Sequence, residues 1–365
     1  MHIIKSLLPE IQNVLNDYYG MNISNNNKDW SILFEPLIIE DKDLRLDSFT
    51  AHKEASLRIM NEILSQHGKT YIMKFLFDLA KIEYKIQEVQ PWVRDHIYHS
   101  INTFLLGVYL IKELDNYFSD YSKNYRFIWK ITGPTHDFGY PFEISSNIRR
   151  QYLLEMNNLI RECGVDSKEL FNEIFPKGLD KLCGKKNSIA LIQDRLNEWN
   201  LDVNIKDYFE WLKLSGKTDH GVISAMSQLK TIDVIYKKNN PRRLSRPYYV
   251  NGLDHDQRIF NTEILDASSA VFLHNISLEY PNFKNKIDIN VSPIAFILFL
   301  CDTIQEWDRY ATHKKMYSGE EFSLKCEQNS IVINVPNEVE KKIMESLSKR
   351  LTGIKIILNN ICIVN

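Results

Sequence analysis

Several short stretches of this chain set imidazoles or carboxylates against long apolar runs. His99 stands at the head of one such run, and the adjacent His136 and Asp137 close another that begins at Ile128. Asp219 and His220 precede Val222 to Ala225, His274 follows Ala270 to Leu273, and Asp302 follows Phe299 to Cys301. Imidazole nitrogen and carboxylate oxygen together suit borderline and hard divalent cations. Buried without a cation, the same groups are costly polar atoms in need of partners. Each taken singly has a structural explanation. A His in an apolar helix is usually a hydrogen-bonded core residue, and Asp302 can pair with Arg309 on an adjoining turn. The ordered set is what points to a metal centre.

The elements that must position these groups read as helices. Leu7, Leu8, Ile11, Val14, Leu15 and Tyr18 recur at helical spacing, as do Leu57, Met60 and Leu64 and the residues from Phe75 to Leu79. Residues 1–90 are therefore expected to form an N-terminal helical region. The motif-bearing segment, 91–315, continues at helical length between Gly-Pro, Asn-Asn-Pro and Asn-Gly breaks, with a helical insertion at about 145–212. Asp166 and Glu169 have the spacing of a capping box that opens one of its helices. After residue 316 the texture changes. Phe322 to Glu327 and Ser330 to Val335 alternate like two strands, and Ile354 to Leu358 and Ile361 to Val364 pair about Asn359-Asn360. Between the pairs, Asn337 and Glu340 suggest a capped helix with the stripe Val339, Ile343, Leu347 and Leu351, stopped at Gly353. The expectation is a mainly α fold with a small C-terminal α+β unit, ββαββ, over 316–365.

Composition narrows the function. The chain has 365 residues with 45 basic and 47 acidic side chains, a formal charge of -2, so no global field recommends nucleic acid as a partner. The apolar run Ile294 to Cys301 is far short of the roughly 20 residues that span a bilayer, and no signal-peptide pattern opens the sequence. A cytoplasmic protein without a membrane partner is expected. The 5 cysteines are odd in number and widely spaced, which argues against a disulfide framework and a structural zinc site. Gly216-Lys217-Thr218 is not the end of a phosphate loop, because Trp211 stands where that loop needs Gly. His255-Asp256 lies in a polar stretch and reads as a surface loop. His96 shares a helix face with His99 and is its rival as a ligand.

His, then His-Asp, then two further His, then Asp, each beside an apolar helix, resembles the HD-domain metal-dependent phosphohydrolase superfamily. The resemblance covers about Arg94 to Arg309, and the insertion accounts for the long gap between Asp137 and His220. It implies an HD-domain helical bundle in which His99, His136, Asp137 and Asp302 hold a divalent metal ion: Mn, Mg, Fe, Zn or Ni, one or two per site. His220 matches the histidine that faces the substrate phosphate or a second metal, with Asp219 orienting it, and His274 is the further second-metal ligand. Glu306, one turn after Asp302, is a supporting partner. Pro134 is a departure, since the family usually has small apolar residues before the doublet, and it is expected to kink the approach.

The function so implied is hydrolysis of a nucleotide phosphoester or phosphoanhydride by metal-activated water, with deoxynucleoside triphosphates or monophosphates favoured. His220, Asp137 and Asp219 are the catalytic set. Arg242, Arg243, Arg246 and Tyr248, in the locally basic loop, are expected to clamp phosphates and base. His136 to Pro141 is also similar to the HD-GYP cyclic dinucleotide phosphodiesterases, so a cyclic nucleotide or dinucleotide is the alternative substrate. A non-catalytic nucleotide-sensing scaffold is the other alternative, with the C-terminal unit as a regulatory or homo-oligomerising module.

Overall fold

The longest apolar run of the chain forms an enclosed helix. Pro293–Ile304 begins on a proline, which suits a first helical position because its missing N–H would be unpaired there anyway. Every residue from Pro293 to Cys301 is buried, as expected of a helix apolar on all sides. The structure is a computed structural model that describes residues 7, 9–15, 54–61, 81–82, 85–86, 96–119, 121–122, 124–148, 175–182, 187–239, 249–250, 253–254, 257–305, 322–327 and 329–364. Among these, the helices that matter here are α1 (His96–Glu113), α2 (Tyr125–Thr135), α3 (Ser188–Glu198), α4 (Ile205–Ser215), α5 (His220–Asn239), α6 (Leu265–His274), α7 (Pro293–Ile304) and α8 (Asn337–Arg350). The fold is mainly helical. No described helix is long and apolar enough to cross a membrane.

Helices α1, α2, α5, α6 and α7 pack on one another as the core of the body. Close approach is built from small residues. A Cβ on Gly107 of α1 would lie 1.8 Å from the Trp129 ring of α2, so only glycine admits that indole. The indole N–H in turn donates to the Phe104 carbonyl at 3.1 Å. In α6, Ala267, Ser268, Ser269 and Ala270 are all buried, and Ser268 donates to Gln228 of α5 at 2.5 Å. Gln228 then donates to Thr135 of α2 at 2.9 Å, so one buried amide ties three helices together. A satisfied network of this kind fixes relative rotation, because any shift leaves a buried polar atom unpaired.

The C-terminal residues form the expected ββαββ unit. Strands are numbered along the whole chain: β1 (Tyr249–Val250), β2 (Leu253–Asp254), β3 (Ile287–Asp288), β4 (Ser323–Glu327), β5 (Ser330–Asn334), β6 (Leu351–Thr352), β7 (Lys355–Leu358) and β8 (Ile361–Val364). The four-stranded sheet has the order β4-β5-β7-β8. Its middle pair, β5 and β7, is parallel, which requires the crossover that α8 supplies. Asn359 and Asn360 turn the last hairpin with φ of 46° and 68°, the left-handed pair that a type I′ turn demands. Val339, Ile343 and Leu347 of the expected stripe are buried, with Leu351 just beyond the helix. The capping box is not formed. Pro336 precedes α8 with no side-chain cap, and Glu340 accepts instead from Asn359 at 2.7 Å. Gly353, with φ of 93°, follows β6 rather than ending the helix directly.

Strand pairing and a buried arginine join this unit to the helical body. Strand β6 pairs in parallel with β3, Ile287 opposite Leu351. Arg350, at the end of α8 and 3% exposed, donates to the carbonyls of Ser277 at 2.7 Å and Phe283 at 3.2 Å. Of the expected N-terminal helices, residues 9–15 and 54–61 are helical with Ile11, Val14, Leu15, Leu57 and Met60 buried, while Tyr18, Leu64 and Phe75 to Leu79 lie outside the described residues. So do Asp166 and Glu169 of the insertion.

Candidate metal centre

Helix direction decides where the polar groups meet. His99 lies in the first turns of α1 and His220 begins α5, whereas His136 and Asp137 follow the end of α2, His274 ends α6 and Asp302 lies in the last turn of α7. N-termini of two helices and C-termini of three therefore share one end of the bundle. There the Nε2 atoms of His99 and His136 are 3.2 Å apart, and Asp302 Oδ1 is 2.9 Å from His99 Nε2. Both His136 and Asp302 thus reach the same nitrogen. Asp137 is shared: Oδ2 lies 3.7 Å from His99 Nε2, and Oδ1 lies 3.5 Å from His136 Nε2, 3.2 Å from His220 Nε2 and 3.5 Å from His274 Nε2. His220 and His274 face each other with Nε2 atoms 3.2 Å apart.

These residues fit a cation. His99, His136 and Asp137 form one group whose ligand atoms all lie within 4.8 Å, and Asp137, His220 and His274 form a second. Backbone carbonyls settle two tautomers. His136 Nδ1 lies 2.7 Å from the Gly133 carbonyl and His274 Nδ1 lies 2.5 Å from the Val271 carbonyl, so Nδ1–H donates and the Nε2 lone pair faces the cluster. Burial lowers the His136 pKa to about 3, keeping its imidazole neutral as ligation requires. Burial alone would raise Asp137, yet the His136, His220 and His274 imidazoles around it hold its carboxyl well below the usual range. Imidazole lone pairs and the carboxylates of Asp137 and Asp302 converging in a largely buried site match the donor set for a divalent metal.

Around the cluster the structure differs from expectation in specific ways. His96 is buried with its ring stacked on Tyr140 at 3.3 Å between centroids and belongs to neither ligand group, so His99 is the ligand candidate of the pair. Asp219 does not hold the His220 ring directly. Its carboxylate accepts from Tyr208, from the Gly221 N–H at 2.7 Å and from Asn275 at 2.9 Å, capping the start of α5. Burial raises the Asp219 pKa. The group on His220 is Glu143, whose Oε2 accepts from Nδ1 and from the His220 backbone N–H, each at 2.8 Å. Burial opposes protonation of His220, but Glu143 and Asp137 raise its pKa well above the ordinary value.

No protein-family model, curated protein or solved structure matches the chain. The geometry of the cluster therefore carries the functional argument.

Sequence reasoning missed Glu143, because a glutamate near a helix start is ordinarily solvated and its partner is 77 positions away. Residues 136–139 form a turn, and residues 140–148, which carry Glu143, are helical. Helix α2 runs through Pro134 in its last turn, although proline has no N–H to donate to the carbonyl one turn back. Arg242, Arg243, Arg246, Tyr248, Glu306, Arg309, His255 and Asp256 lie outside the described residues. Cys301, buried, and Cys326, half-buried, are free thiols.

Proposed function

We propose that the chain is a metal-dependent nucleotide phosphohydrolase of the HD type. The observation that carries this reading is the shared carboxylate: Asp137 lies between two imidazole groups, one completed by Asp302, in the order of residues that the superfamily uses. His99, His136, Asp137 and Asp302 would hold one cation, and Asp137, His220 and His274 a second. When bound, a divalent cation supplies Lewis acidity toward water and a phosphoryl oxygen.

The chain's own groups do the rest. Hydrolysis forms a bond from water oxygen to phosphorus, breaks the bond from phosphorus to the leaving oxygen, and needs a proton delivered to that oxygen. Glu143 fixes the His220 ring so that Nε2 points at the centre, where it meets the phosphate or completes the second ligand set. Asp219 sets the first turn of α5 and so the height of His220. Gly139 permits the doublet to approach α5, since a Cβ there would lie 2.4 Å from the His220 carbonyl oxygen.

The test combines metal analysis with a nucleotide panel. Purified protein should contain a divalent metal and release phosphate or a longer phosphate chain from deoxynucleoside phosphates, and both chelator and Asp137→Ala should abolish turnover while the fold persists. Undiminished hydrolysis in excess chelator, or by Asp137→Ala, would overturn the mechanism. Cleavage of cyclic dinucleotides alone would transfer the site to that substrate class.

A further inference from the structure

Helix α4 is fixed at both ends by its own sequence. The Asn204 side chain accepts from the Lys206 and Asp207 N–H groups at 3.0 and 3.2 Å, and Gly216 ends the helix with φ of 60°. This helix supplies no ligand candidate. From it Tyr208, fully buried, sets its ring against Phe272 of α6, at 6.3 Å between centroids, and its hydroxyl on the Asp219 carboxylate. That hydroxyl is the donor to Oδ2 among the described residues. Oδ1 accepts from the Gly221 N–H at 2.7 Å, from the Val222 N–H at 3.4 Å and from Asn275 at 2.9 Å. Asp219 thus ties the start of α5, where His220 stands, to the end of α6, where His274 stands. The two helix ends are in close contact: Asn275 Nδ2 lies 3.1 Å from His220 Nδ1, and a Cβ on Gly221 would lie 3.0 Å from the Val271 carbonyl oxygen.

We infer that Tyr208 is the positioning residue of the second cation set, Asp137, His220 and His274, so that α4 helps to build the centre although it adds no ligand to it. The inference rests on the reading of the cluster as two ligand sets, and it holds for any substrate. His220 and His274 come from different helices with Nε2 atoms 3.2 Å apart, so both meet one cation only while α5 and α6 keep their mutual height. Asp219 holds that height, because its Oδ1 binds groups from both helix ends. The orientation of the carboxylate depends on its other oxygen. A buried carboxylate oxygen without a donor is costly, and the group turns to find one. Loss of the Tyr208 hydroxyl would therefore take Oδ1 off Gly221 and Asn275 and let the two imidazoles part. Tyr208 itself is firmly placed, stacked on Trp211 at 5.9 Å and set edge-on to Tyr280 at 4.9 Å. His99, His136 and Asp302 take no part in this network, so the first cation is left alone.

The test titrates the full chain, stripped of metal, with Mn²⁺ and counts the free ion by electron paramagnetic resonance. Wild type should take two Mn²⁺ per chain. Tyr208→Phe should keep the first affinity and weaken the second by about 10- to 100-fold, the usual effect of losing a group that orients a ligand histidine. Phe209→Leu trims the neighbouring buried ring and leaves the hydroxyl, so it should lower the melting temperature and leave both affinities unchanged. Asn275→Ala removes a donor to Asp219 from outside α4 and should weaken the second Mn²⁺ as Tyr208→Phe does, which keeps the inference testable should Tyr208→Phe fail to fold. Where a nucleotide is hydrolysed, the kcat lost in Tyr208→Phe should return in excess Mn²⁺. A second Mn²⁺ bound by either Tyr208→Phe or Asn275→Ala as tightly as by wild type, an equal weakening in Phe209→Leu, or a single Mn²⁺ in wild type overturns the inference. Chelator-sensitive hydrolysis beside that result would leave the phosphohydrolase reading intact. A Tyr208-dependent second Mn²⁺ in a protein that hydrolyses no nucleotide would do the reverse.

Discussion

His220 is held from two sides by one carboxylate. Glu143 accepts from its ring and from its backbone N–H, so the side chain and the start of α5 are placed by the same oxygen. Such supporting partners of ligand histidines typically account for 10- to 100-fold in metal affinity or activity. Glu143→Gln keeps an acceptor in the same place but removes its charge. It should lower turnover by roughly 10- to 100-fold while His99, His136 and Asp302 retain a cation. Metal stoichiometry, kcat and melting temperature measured on one preparation check this, and unchanged kcat with a lowered melting temperature would mark Glu143 as purely structural. At this scale the sequence was informative about residue type. His99, His136, Asp137, His220, His274 and Asp302 stood out because imidazoles and carboxylates are conspicuous against apolar runs. Glu143 did not, because nothing in its neighbours distinguishes a buried glutamate from a solvated one.

Helix α2 delivers the His136-Asp137 doublet, and it does so with a lysine in its buried face. Lys130 is 1% exposed, and burial pushes its pKa down to about 7 from 10.5. The depressed value means that the unfolded chain binds more protons than the folded one between those two pH values. Stability therefore rises with pH from about 7 toward 10.5, and the contribution is lost as pH falls through the folded value. A tenfold change in proton affinity is worth about 1.4 kcal/mol, so the effect is readily measured. Lys130→Met, of similar length and without the charge, should be more stable than wild type near neutral pH and should flatten the rise. Urea midpoints across that range decide it, and parallel profiles for the two proteins would contradict the assignment. The helix itself was legible from its apolar spacing. Lys130 was not, because its burial depends on the helices packed around α2.

Across the molecule, the C-terminal unit and the helical body are joined through Arg350 and the β3–β6 pairing. Arg350 satisfies the carbonyls of Ser277 and Phe283 and lies over the Phe283 ring at 3.9 Å. Arg350→Ala leaves those carbonyls short of a donor, at a cost of about 1–3 kcal/mol for each buried group unsatisfied. The melting temperature should fall. If the proposed activity holds, KM should also change, since Lys342, Ile343 and Ser346 of α8 line a cleft together with His274 and Asp302. Thermal denaturation and steady-state kinetics on the same variant test both, and a lowered melting temperature with unchanged KM would separate the two units functionally.

Helix and strand periods are local properties, set by which residues can share one face. Sequence alone therefore determined a mainly helical body, the ββαββ order of the last residues and the Asn359-Asn360 turn. It also picked out the imidazoles and carboxylates that meet at the cluster. Three-dimensional packing decided the rest. It chose His99 over His96: His96 stacks on Tyr140, while His99 joins His136 and Asp137. It assigned Asp219 to the helix start and Glu143 to His220, a pairing across 77 positions that no local pattern encodes. It also docked α8 on α7, through side chains whose partners lie in another part of the chain. Contacts of that kind depend on helix directions and crossing distances, which residue spacing leaves open.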